Sequence, residues 1–317
     1  MTQSDILTVT LNPAVDVATT VPEVIAGPKL RCSAPRFDPG GGGVNVARAV
    51  RKLGGNATAL VAIAGAMGDR LLSLLAAEKV PALSVPVSGE TRQSFAVTEV
   101  GSGAQYRFGV PGDMMTADDA DRLLTAIAAH APSGGYLVIS GSVAPGLPVD
   151  FQSNIVATVA TRGPKVIVDT SSTALDQLIA EPSTPVHLLR FDDAEATQAA
   201  GRPLAGVADM ISFAKELINN SVADIVVIGV GAEGSIMVTR AQTFLCRPPI
   251  VTEHSKIGAG DAFVGAMTLS LARGEPLDTA LRWGVAAGSA TVSTEGTALC
   301  ELGTTQARFE DCVTEVV

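Results

Sequence analysis

Aromatic side chains are scarce in this sequence: Phe, Tyr and Trp make up 4% of its 317 residues, and a single one is Trp. Hydrophobic residues nevertheless reach 47%, so the chain can bury a sizeable core of Ala, Val and Leu. Such a composition suits an α/β protein better than a β-sandwich. The length alone is compatible with one large domain or with two ordinary ones.

Cysteine is also sparse, and long apolar runs are missing. The four cysteines (Cys32, Cys246, Cys300 and Cys312) are far apart and form no C-x-x-C motif, which indicates reduced thiols in a cytoplasmic protein. The first residues lack the basic and apolar regions of a signal peptide. No segment reaches the roughly 18 consecutive apolar residues of a transmembrane helix. We therefore expect a cytoplasmic location and no membrane partner.

Basic residues form no run, and the formal net charge is −10. A nucleic acid or an anionic membrane is therefore not expected as the main partner. A small anionic substrate remains compatible, because a few Lys or Arg side chains can dominate the charge of a pocket. His130, His187 and His254 show no metal-ligand spacing, so each is interpreted as structural. The sequence also has no P-loop motif.

Strand and helix patterns alternate along most of the chain, which predicts a parallel sheet with helices on both faces. The clearest strand patterns are at 6–11, 58–64, 83–87, 136–140, 165–169, 186–189 and 224–228. Two stretches, at about 14–36 and 92–110, are instead extended, and the second has hairpin features around Gly101-Ser102-Gly103. No repeat or low-complexity linker divides the chain, so we expect a single α/β domain over 1–317.

The segment Gly258-Ala259-Gly260-Asp261 leads directly into an apolar helical run. The unpaired amides and the positive dipole of such a helix start favour an anion, and phosphate is the expected guest. Asp261 then has two interpretations. It can cap the helix, since Asp is a favoured N-cap residue, and these residues alone favour that interpretation. It can also be a general base beside a phosphoryl-transfer anion site.

A second glycine-rich run, Gly40-Gly41-Gly42-Gly43, precedes another helical pattern. Glycine runs are usually flexible linkers. Here the helix follows at once, so we predict a backbone-lined ligand site with Asn45 pointing into it. Ser142 follows a strand that ends in Ser140-Gly141. Turn chemistry explains this Ser, but ligands also collect at strand ends in α/β sheets.

Two further motifs bear on a nucleotide. Gly229-Val230-Gly231-Ala232-Glu233-Gly234 matches G-x-G-x-x-G, but a strand pattern follows it rather than a helix. We therefore reject a dinucleotide site and predict a strand–turn–strand that can line a nucleotide. Asp192-Asp193-Ala194-Glu195 is an acidic cluster at a helix start. Such a cluster is usually a capping feature, although one or two of its carboxylates can also hold Mg²⁺.

Eight motifs follow one another from Thr10 to Ala290. They are T-L-N-P-A-V-D (10–16), K-L-R-C (29–32), G-G-G-G-V-N-V-A-R (40–48), T-R-Q (91–93), Q-Y-R-F-x-x-P-G (105–112), S-G-S-x-x-P-G (140–146), G-A-G-D (258–261) and V-A-A-G-S-A (285–290). In their order and spacing the chain resembles the ribokinase-like carbohydrate kinases of the phosphofructokinase-B type. It is most similar to their minor ATP-dependent 6-phosphofructokinase branch.

The resemblance implies a three-layer α/β/α sandwich with a small β-sheet lid formed by 14–36 and 92–110. It implies transfer of the γ-phosphoryl group of ATP to the C1 hydroxyl of fructose 6-phosphate, with Asp261 as base and the 258–260 amides as anion site. Mg²⁺ would accompany ATP, with K⁺ as a further candidate cation, and the lid would form a homodimer contact. The alternatives are a kinase for tagatose 6-phosphate or another phosphosugar, and a catalytically weak sugar-phosphate-binding homologue.

The same resemblance assigns the binding residues. The sugar phosphate would contact Asp16, Lys29, Arg31, Gly41, Gly42, Asn45, Arg92 and Ser142. The nucleotide would contact Arg190, Asp192, Gly229, Gly231, Gly234 and Lys256, and Glu195 would hold the metal.

Departures from the family pattern are concentrated on the nucleotide side. Arg190 and Asp192 replace the usual Lys and Asn, whereas Glu195 keeps the usual carboxylate. Gly229 stands where Ser is usual, and Lys256 where Thr is usual. The additional carboxylate at 192 should repel phosphate oxygens unless a cation bridges them, and Lys256 is placed to compensate. We therefore hypothesise an intact sugar-phosphate site with an altered donor or metal requirement.

Overall fold

The computed structural model describes residues 3–317 and contains two β-sheets flanked by helices. In this part of the chain the strands are β1 (Ile6–Thr10), β2 (Ala14–Val21), β3 (Arg36–Gly40), β4 (Thr58–Ile63), β5 (Ala82–Pro86), β6 (Arg92–Glu99), β7 (Gln105–Gly109), β8 (Tyr136–Ser140), β9 (Lys165–Asp169), β10 (Val186–Asp192), β11 (Ala223–Gly229), β12 (Ser235–Thr239), β13 (Thr243–Arg247) and β14 (Val313–Val316). The helices are α1 (Gly42–Lys52), α2 (Gly65–Ala77), α3 (Ala117–His130), α4 (Phe151–Val159), α5 (Ser172–Ala180), α6 (Asp193–Ala200), α7 (Val207–Asn219), α8 (Ala259–Ala272), α9 (Leu277–Val292) and α10 (Leu302–Asp311).

The larger sheet has ten strands in the order β14-β13-β12-β11-β10-β9-β8-β1-β4-β5. Seven neighbouring strands of this sheet, β11-β10-β9-β8-β1-β4-β5, pair with one another in parallel. Parallel pairs need long crossover connections, which are usually helices. At the other edge β12, β13 and β14 are antiparallel. The predicted strand–turn–strand at 229–234 is therefore confirmed, since β11 and β12 pair across a short turn.

Helices cover both faces of this sheet, because successive side chains of each strand point to opposite sides. On β8, Tyr136 and Val138 pack in one core with α1, α8 and α9. The alternate residues Leu137 and Ile139 pack in the other core with α3, α4 and α7. The α/β class and the three-layer arrangement expected from the resemblance are confirmed.

The smaller sheet has four strands in the order β3-β2-β6-β7 and is called the lid sheet below. The first extended stretch supplies β2 and ends where β3 begins, and the second supplies β6 and β7 as a hairpin. β2 pairs with β3 in antiparallel and with β6 in parallel orientation. β2 follows closely after β1, and β3 leads into α1, so the lid sheet is anchored where the central strands end.

Among residues 3–317, none of the helices combines the length and the apolar character that crossing a bilayer requires.

Candidate active site

Polar residues gather where the central parallel strands end. The strands β8, β9 and β10 end at Ser140, Asp169 and Asp192. The register places Ser140 beside Asp169, and Asp192 beside Gly229 at the end of β11. The carboxyl ends of parallel strands share one edge of a sheet, and this edge is where open α/β folds bind ligands.

Two helices begin at the same edge. Both α1 and α8 have a glycine N-cap, and no side chain caps either helix. Gly42 is so close to β8 that a Cβ atom on it would lie 2.4 Å from Ser140 Oγ. Gly260 is close to the guanidinium of Arg190, which extends from β10, because its Cβ would lie 2.8 Å from Arg190 Nη1. Glycine thus brings two sets of uncapped amides to one place, an arrangement that suits an anion.

Asp261 lies within the first turn of α8 and is not its cap. Gly258 occupies the N-cap position, so the capping interpretation of Asp261 is wrong. The carboxylate instead accepts a hydrogen bond across the site, from Asn45 Nδ2 on α1 at 2.9 Å. The other carboxylate oxygen, Asp261 Oδ1, lies 3.4 Å from Oγ of Ser140 at the end of β8.

These surroundings raise the pKa of Asp261 from 3.8 to about 7. Loss of hydration is the main cause, and the negative charge of Asp169 adds to it. The Asn45 hydrogen bond, the charge of Arg190 and the Ser140 hydroxyl act in the opposite direction. A carboxylate with a pKa near neutrality can lose its proton and still take one up, as a general base must.

Behind Asp261, three side chains form a hydrogen-bonded network. Ser140 Oγ donates to Asp169 Oδ2 at 2.9 Å, and Arg190 Nη1 donates to Asp169 Oδ1 at 3.0 Å. Arg190 was predicted on the nucleotide side, but the sequence interpretation named Ser142 and overlooked Ser140 and Asp169. The available signal was that both overlooked residues end buried strands.

A cavity of about 480 Å³ opens between the lid sheet and the two helix starts. The predicted residues that line it are Asp16, Gly41, Gly42, Asn45, Arg92, Gly258 and Asp261. The lining residues that were not predicted include Ser94, Arg107, Phe108, Gly141 and Thr297. The structure therefore brings the predicted parts of β2, α1, β6 and α8 to one cavity.

Asp16 on β2 is the second carboxylate of the cavity. Its pKa is raised from 3.8 to about 6, mainly by burial, while the charges of Arg48 and Arg92 oppose the rise. A carboxylate at this position can accept hydrogen bonds from the hydroxyl groups of a ligand.

Two guanidinium groups face the cavity from the lid sheet. Arg92 on β6 is held in place by the backbone oxygen of Asn12, to which Nε and Nη2 donate at 3.2 and 3.1 Å. Burial lowers the pKa of this Arg92 group. Arg107 on β7 lines the same cavity, although the sequence interpretation used it only as part of a family motif. Two guanidinium groups make this side of the cavity suitable for a phosphate.

Four of the predicted residues outside the cavity lining have exposed side chains. Lys29 and Arg31 are exposed on the segment between β2 and β3. Ser142 is exposed and accepts a hydrogen bond from Asn12 Nδ2 at 3.2 Å. Lys256 lies 3.5 Å from Glu253 Oε1, so its ion pair among residues 3–317 is not with Asp192.

Apart from Lys256, the predicted nucleotide residues lie at or just after the ends of β10 and β11. Asp192 and Glu195 form a capping box for α6: Glu195 N donates to Asp192 Oδ1, and Asp192 N donates to Glu195 Oε2, both at 2.8 Å. Burial raises the pKa of Glu195, and the neighbouring carboxylates add to the rise. Gly229, Gly231 and Gly234 form the turn between β11 and β12.

Glu195 fits a metal that arrives with a nucleotide. Within residues 3–317 no three His, Cys, Asp or Glu side chains are grouped as a metal site of their own. Mg²⁺ bound to nucleotide phosphates needs only one or two protein carboxylates, because it keeps several waters. Glu195 uses Oε2 in the capping box, which leaves Oε1 to face such an ion or its water.

Comparison with known proteins gives consistent matches over almost the whole chain. The model of the pfkB family of carbohydrate kinases matches residues 9–304. The chain is 40% identical over 301 residues to the ATP-dependent 6-phosphofructokinase isozyme 2 of Escherichia coli, covering 95% of this chain and 96% of that one. It is 37% identical over 305 residues to the Mycobacterium tuberculosis protein of the same name, covering 96% and 89%.

Solved structures agree with these matches. The crystal structure of phosphofructokinase-2 from Escherichia coli in complex with fructose-6-phosphate has a TM-score of 0.91 at 39% identity, covering 97% of this chain and 99% of that one. The same Escherichia coli protein has been solved in complex with potassium, with a TM-score of 0.92, and in a tetrameric inhibited form, with a TM-score of 0.91.

Proposed function

The chain belongs to the pfkB family of carbohydrate kinases, and from this premise we propose that it transfers the γ-phosphoryl group of ATP to the C1 hydroxyl of fructose 6-phosphate. It is then a phosphotransferase with an alcohol group as acceptor. The relatives that support this acceptor and this donor are the ATP-dependent 6-phosphofructokinases, which match along nearly their full length.

The observation that carries the proposal is the position of Asp261. This carboxylate lies in the cavity lining, within the first turn of α8, and its pKa is about 7. A hydroxyl group in the cavity can give its proton to Asp261 as it attacks phosphorus. The amides of Gly258, Ala259 and Gly260 then face the charge on the transferred group. General-base and anion-site contributions of this kind are each worth roughly 10²–10⁴ in rate.

The sugar phosphate is proposed to lie along the cavity from α1 to the lid sheet. Asp16, Asn45 and the amides of Gly41 and Gly42 would contact its hydroxyl groups. Arg92 would bind the 6-phosphate, and we add Arg107 because it lines the same side of the cavity. Three exposed residues would join these contacts, Ser142 from the segment after β8, and Lys29 and Arg31 from the segment between β2 and β3.

The nucleotide is proposed to bind across the ends of β10 and β11. Arg190, Asp192, Lys256 and the turn glycines Gly229, Gly231 and Gly234 would contact it. Mg²⁺ would be held by Glu195 and would neutralise phosphate charge. The hypothesis of an altered donor loses its main support, because Asp192 serves as the N-cap of α6. Asp and Asn are both favoured N-cap residues, so this departure from the family does not require another donor.

The lid sheet is proposed to form the contact of a homodimer. Its strands β6 and β7 expose Phe95, Tyr106 and Phe108, each between 37% and 53% accessible, next to Val110. Phe95 and Phe108 also line the cavity, whereas Tyr106 and Val110 do not. Apolar side chains grouped on one exposed sheet are typical of a surface that another protein covers. A cytoplasmic location is proposed because ATP and sugar phosphates are found there.

A coupled kinase assay tests the proposed reaction. Fructose 6-phosphate, tagatose 6-phosphate and fructose 1-phosphate are each combined with ATP or GTP, with Mg²⁺ or Mn²⁺, and with or without K⁺. We expect the highest kcat/KM for fructose 6-phosphate with ATP and Mg²⁺. A tenfold preference for another acceptor or donor would contradict the proposal. Tight sugar-phosphate binding without product in every combination would identify a binding homologue instead.

A further inference from the structure

Arg48 is a buried cation outside the cavity lining. It lies one turn beyond Asn45 on α1, and only 2% of it is exposed. Its Nε and Nη2 donate to the two carboxylate oxygens of Glu78 at 2.8 and 2.6 Å. Its Nη1 donates to the backbone oxygen of Pro39 on β3 and to Oδ1 of Asn45, both at 3.0 Å. A bidentate pair with a carboxylate holds a guanidinium in one orientation.

Taking Asp261 as the base of the proposed function, we propose that Arg48 is a positioning residue that fixes the amide of Asn45, so that this amide donates to Asp261. A guanidinium has donors and no acceptor, so the Asn45 atom that faces Arg48 must be the oxygen Oδ1. The NH₂ group of Asn45 is then at the opposite end, 2.9 Å from Asp261 Oδ2. The orientation of the amide therefore follows from the chemistry of Arg48.

An unconstrained amide at position 45 would have a second orientation. Rotated by half a turn, it would place Oδ1 against the Asp261 carboxylate, and an attraction would become a repulsion. The hydrogen bond from Asn45 favours the charged form of Asp261, which is the form that accepts a proton. Loss of Arg48 should therefore reduce the fraction of enzyme in which Asp261 is deprotonated near neutral pH.

Arg48 also connects this amide to the lid sheet. Its Nη1 atom contacts both Asn45 and Pro39, and its Nη2 lies 3.7 Å from Asp38 Oδ1 on β3. A displacement of β3 would therefore act on the same guanidinium that orients Asn45.

Other charged groups surround this arrangement, and their direct effects must be separated from the effect through Asn45. They are Asp16 on β2, Asp38 on β3, Glu78 after α2, Asp169 on β9 and Arg190 on β10. Removal of the Arg48 charge acts directly on Asp16, which it helps to keep ionised. A double-mutant cycle with Asn45 makes the separation.

The test measures the pH dependence of kcat for fructose 6-phosphate phosphorylation in Arg48→Met, Asn45→Ala and the double variant. A hydrogen bond to a charged group is worth about one pKa unit or more. We therefore expect the acidic limb of the kcat–pH profile of Arg48→Met to move upward by about one pH unit. At pH values below that limb, kcat should fall about tenfold. In the Asn45→Ala background the same Arg48→Met change should move the limb by less than about 0.3 unit, because no amide remains to be oriented.

Equal shifts in the two backgrounds would overturn the inference, because Arg48 would then act by its charge alone. No shift in either background would overturn it as well. Arg51→Met is the matched control, since Arg51 lies on the same helix, is exposed and does not contact Asn45. Its acidic limb should coincide with that of the unmodified chain.

Two further measurements keep the outcome interpretable. If Arg48→Met does not fold, Arg48→Gln takes its place, because a glutamine amide has both donors and an acceptor and no longer dictates which end of Asn45 faces it. An upward shift is again expected, and no shift overturns the inference. The titration of Asp261 can also be followed without activity, from the pH-dependent difference in thermal stability between each chain and its Asp261→Asn variant. An upward shift of that titration in Arg48→Met supports the inference even if the chain proves not to be a kinase, and its absence contradicts it.

Discussion

At the scale of single residues, the site depends on two carboxylates whose environments differ. Asp261 has a pKa of about 7, because it has lost hydration and lies near the negative charge of Asp169. Asp16 has a pKa of about 6, because two arginines partly offset its burial. At neutral pH Asp16 is thus mostly charged and suited to binding, whereas Asp261 is close to its midpoint and suited to proton transfer.

The raised pKa of Asp261 predicts a pH-dependent stability difference. Between pH 3.8 and about 7 the folded chain binds a proton at this position that the unfolded chain does not, so the carboxyl lowers stability as pH rises through this range. Asp261→Asn removes the charge and keeps the shape. We expect the variant to have a higher Tm than the unmodified chain at pH 8, and a much smaller advantage at pH 5, by calorimetry.

The control for this measurement is Asp121→Asn, which changes an exposed carboxylate on α3. Its Tm difference should be small and similar at both pH values. A stability gain of Asp261→Asn that is equal at pH 5 and pH 8, or larger at pH 5, would show that the carboxyl is not destabilised by its surroundings.

At the scale of the elements, the helix starts and the ends of β8 and β9 were readable from the sequence, whereas the contacts between these elements were not. The glycine runs before α1 and α8 are local patterns, and each leads into a helix as predicted. The network of Ser140, Asp169 and Arg190 depends instead on the order of β8, β9 and β10 in the sheet, which no local pattern specifies. The end of β8 was placed correctly at Ser140, and Ser142 was named because the resemblance assigned the sugar-phosphate contact to that residue.

The acidic cluster at the start of α6 shows a similar limit. Capping and metal binding both require a carboxylate at a helix start, so the sequence left both open. The structure shows the capping box directly, through the reciprocal hydrogen bonds of Asp192 and Glu195. The compensating role expected for Lys256 stays a prediction, because its position relative to α6 depends on tertiary structure and its ammonium lies 3.5 Å from Glu253 Oε1.

The exposed edge strand of the lid sheet allows a test of the proposed dimer contact. Tyr106 is exposed on this strand, β7, and does not line the cavity. A charge at this position would have to be desolvated in a lid-to-lid contact. If the proposed dimer forms through the lid sheet, Tyr106→Asp should sediment as a monomer in sedimentation velocity. Val149→Asp is the control, because Val149 is 50% exposed and lies outside the lid sheet, and it should stay dimeric. Dimers of unchanged stability in Tyr106→Asp would place the interface elsewhere.

At the scale of the whole molecule, three structural units meet at one cavity. The ten-stranded sheet supplies the network of Ser140, Asp169 and Arg190 behind Asp261, and two helix starts supply amides and Asp261 itself. The lid sheet supplies Asp16 and two arginines from above. The fold class could be predicted because alternating strands and helices constrain the layers. The positions of Lys29 and Arg31 outside the cavity could not, because an exposed segment has no pattern that fixes its direction.

The central claim is that Asp261 is the base of a fructose 6-phosphate kinase, and the most direct test compares kcat with substrate binding in one variant. For Asp261→Asn we predict a fall in kcat of roughly 10³-fold, since a general base contributes about 10²–10⁴ in rate. The Kd of fructose 6-phosphate, measured by calorimetry, should change by no more than about threefold, because Asp16, Arg92 and Arg107 remain in place. A kcat within tenfold of the unmodified chain, with fructose 6-phosphate still bound, would contradict the assignment.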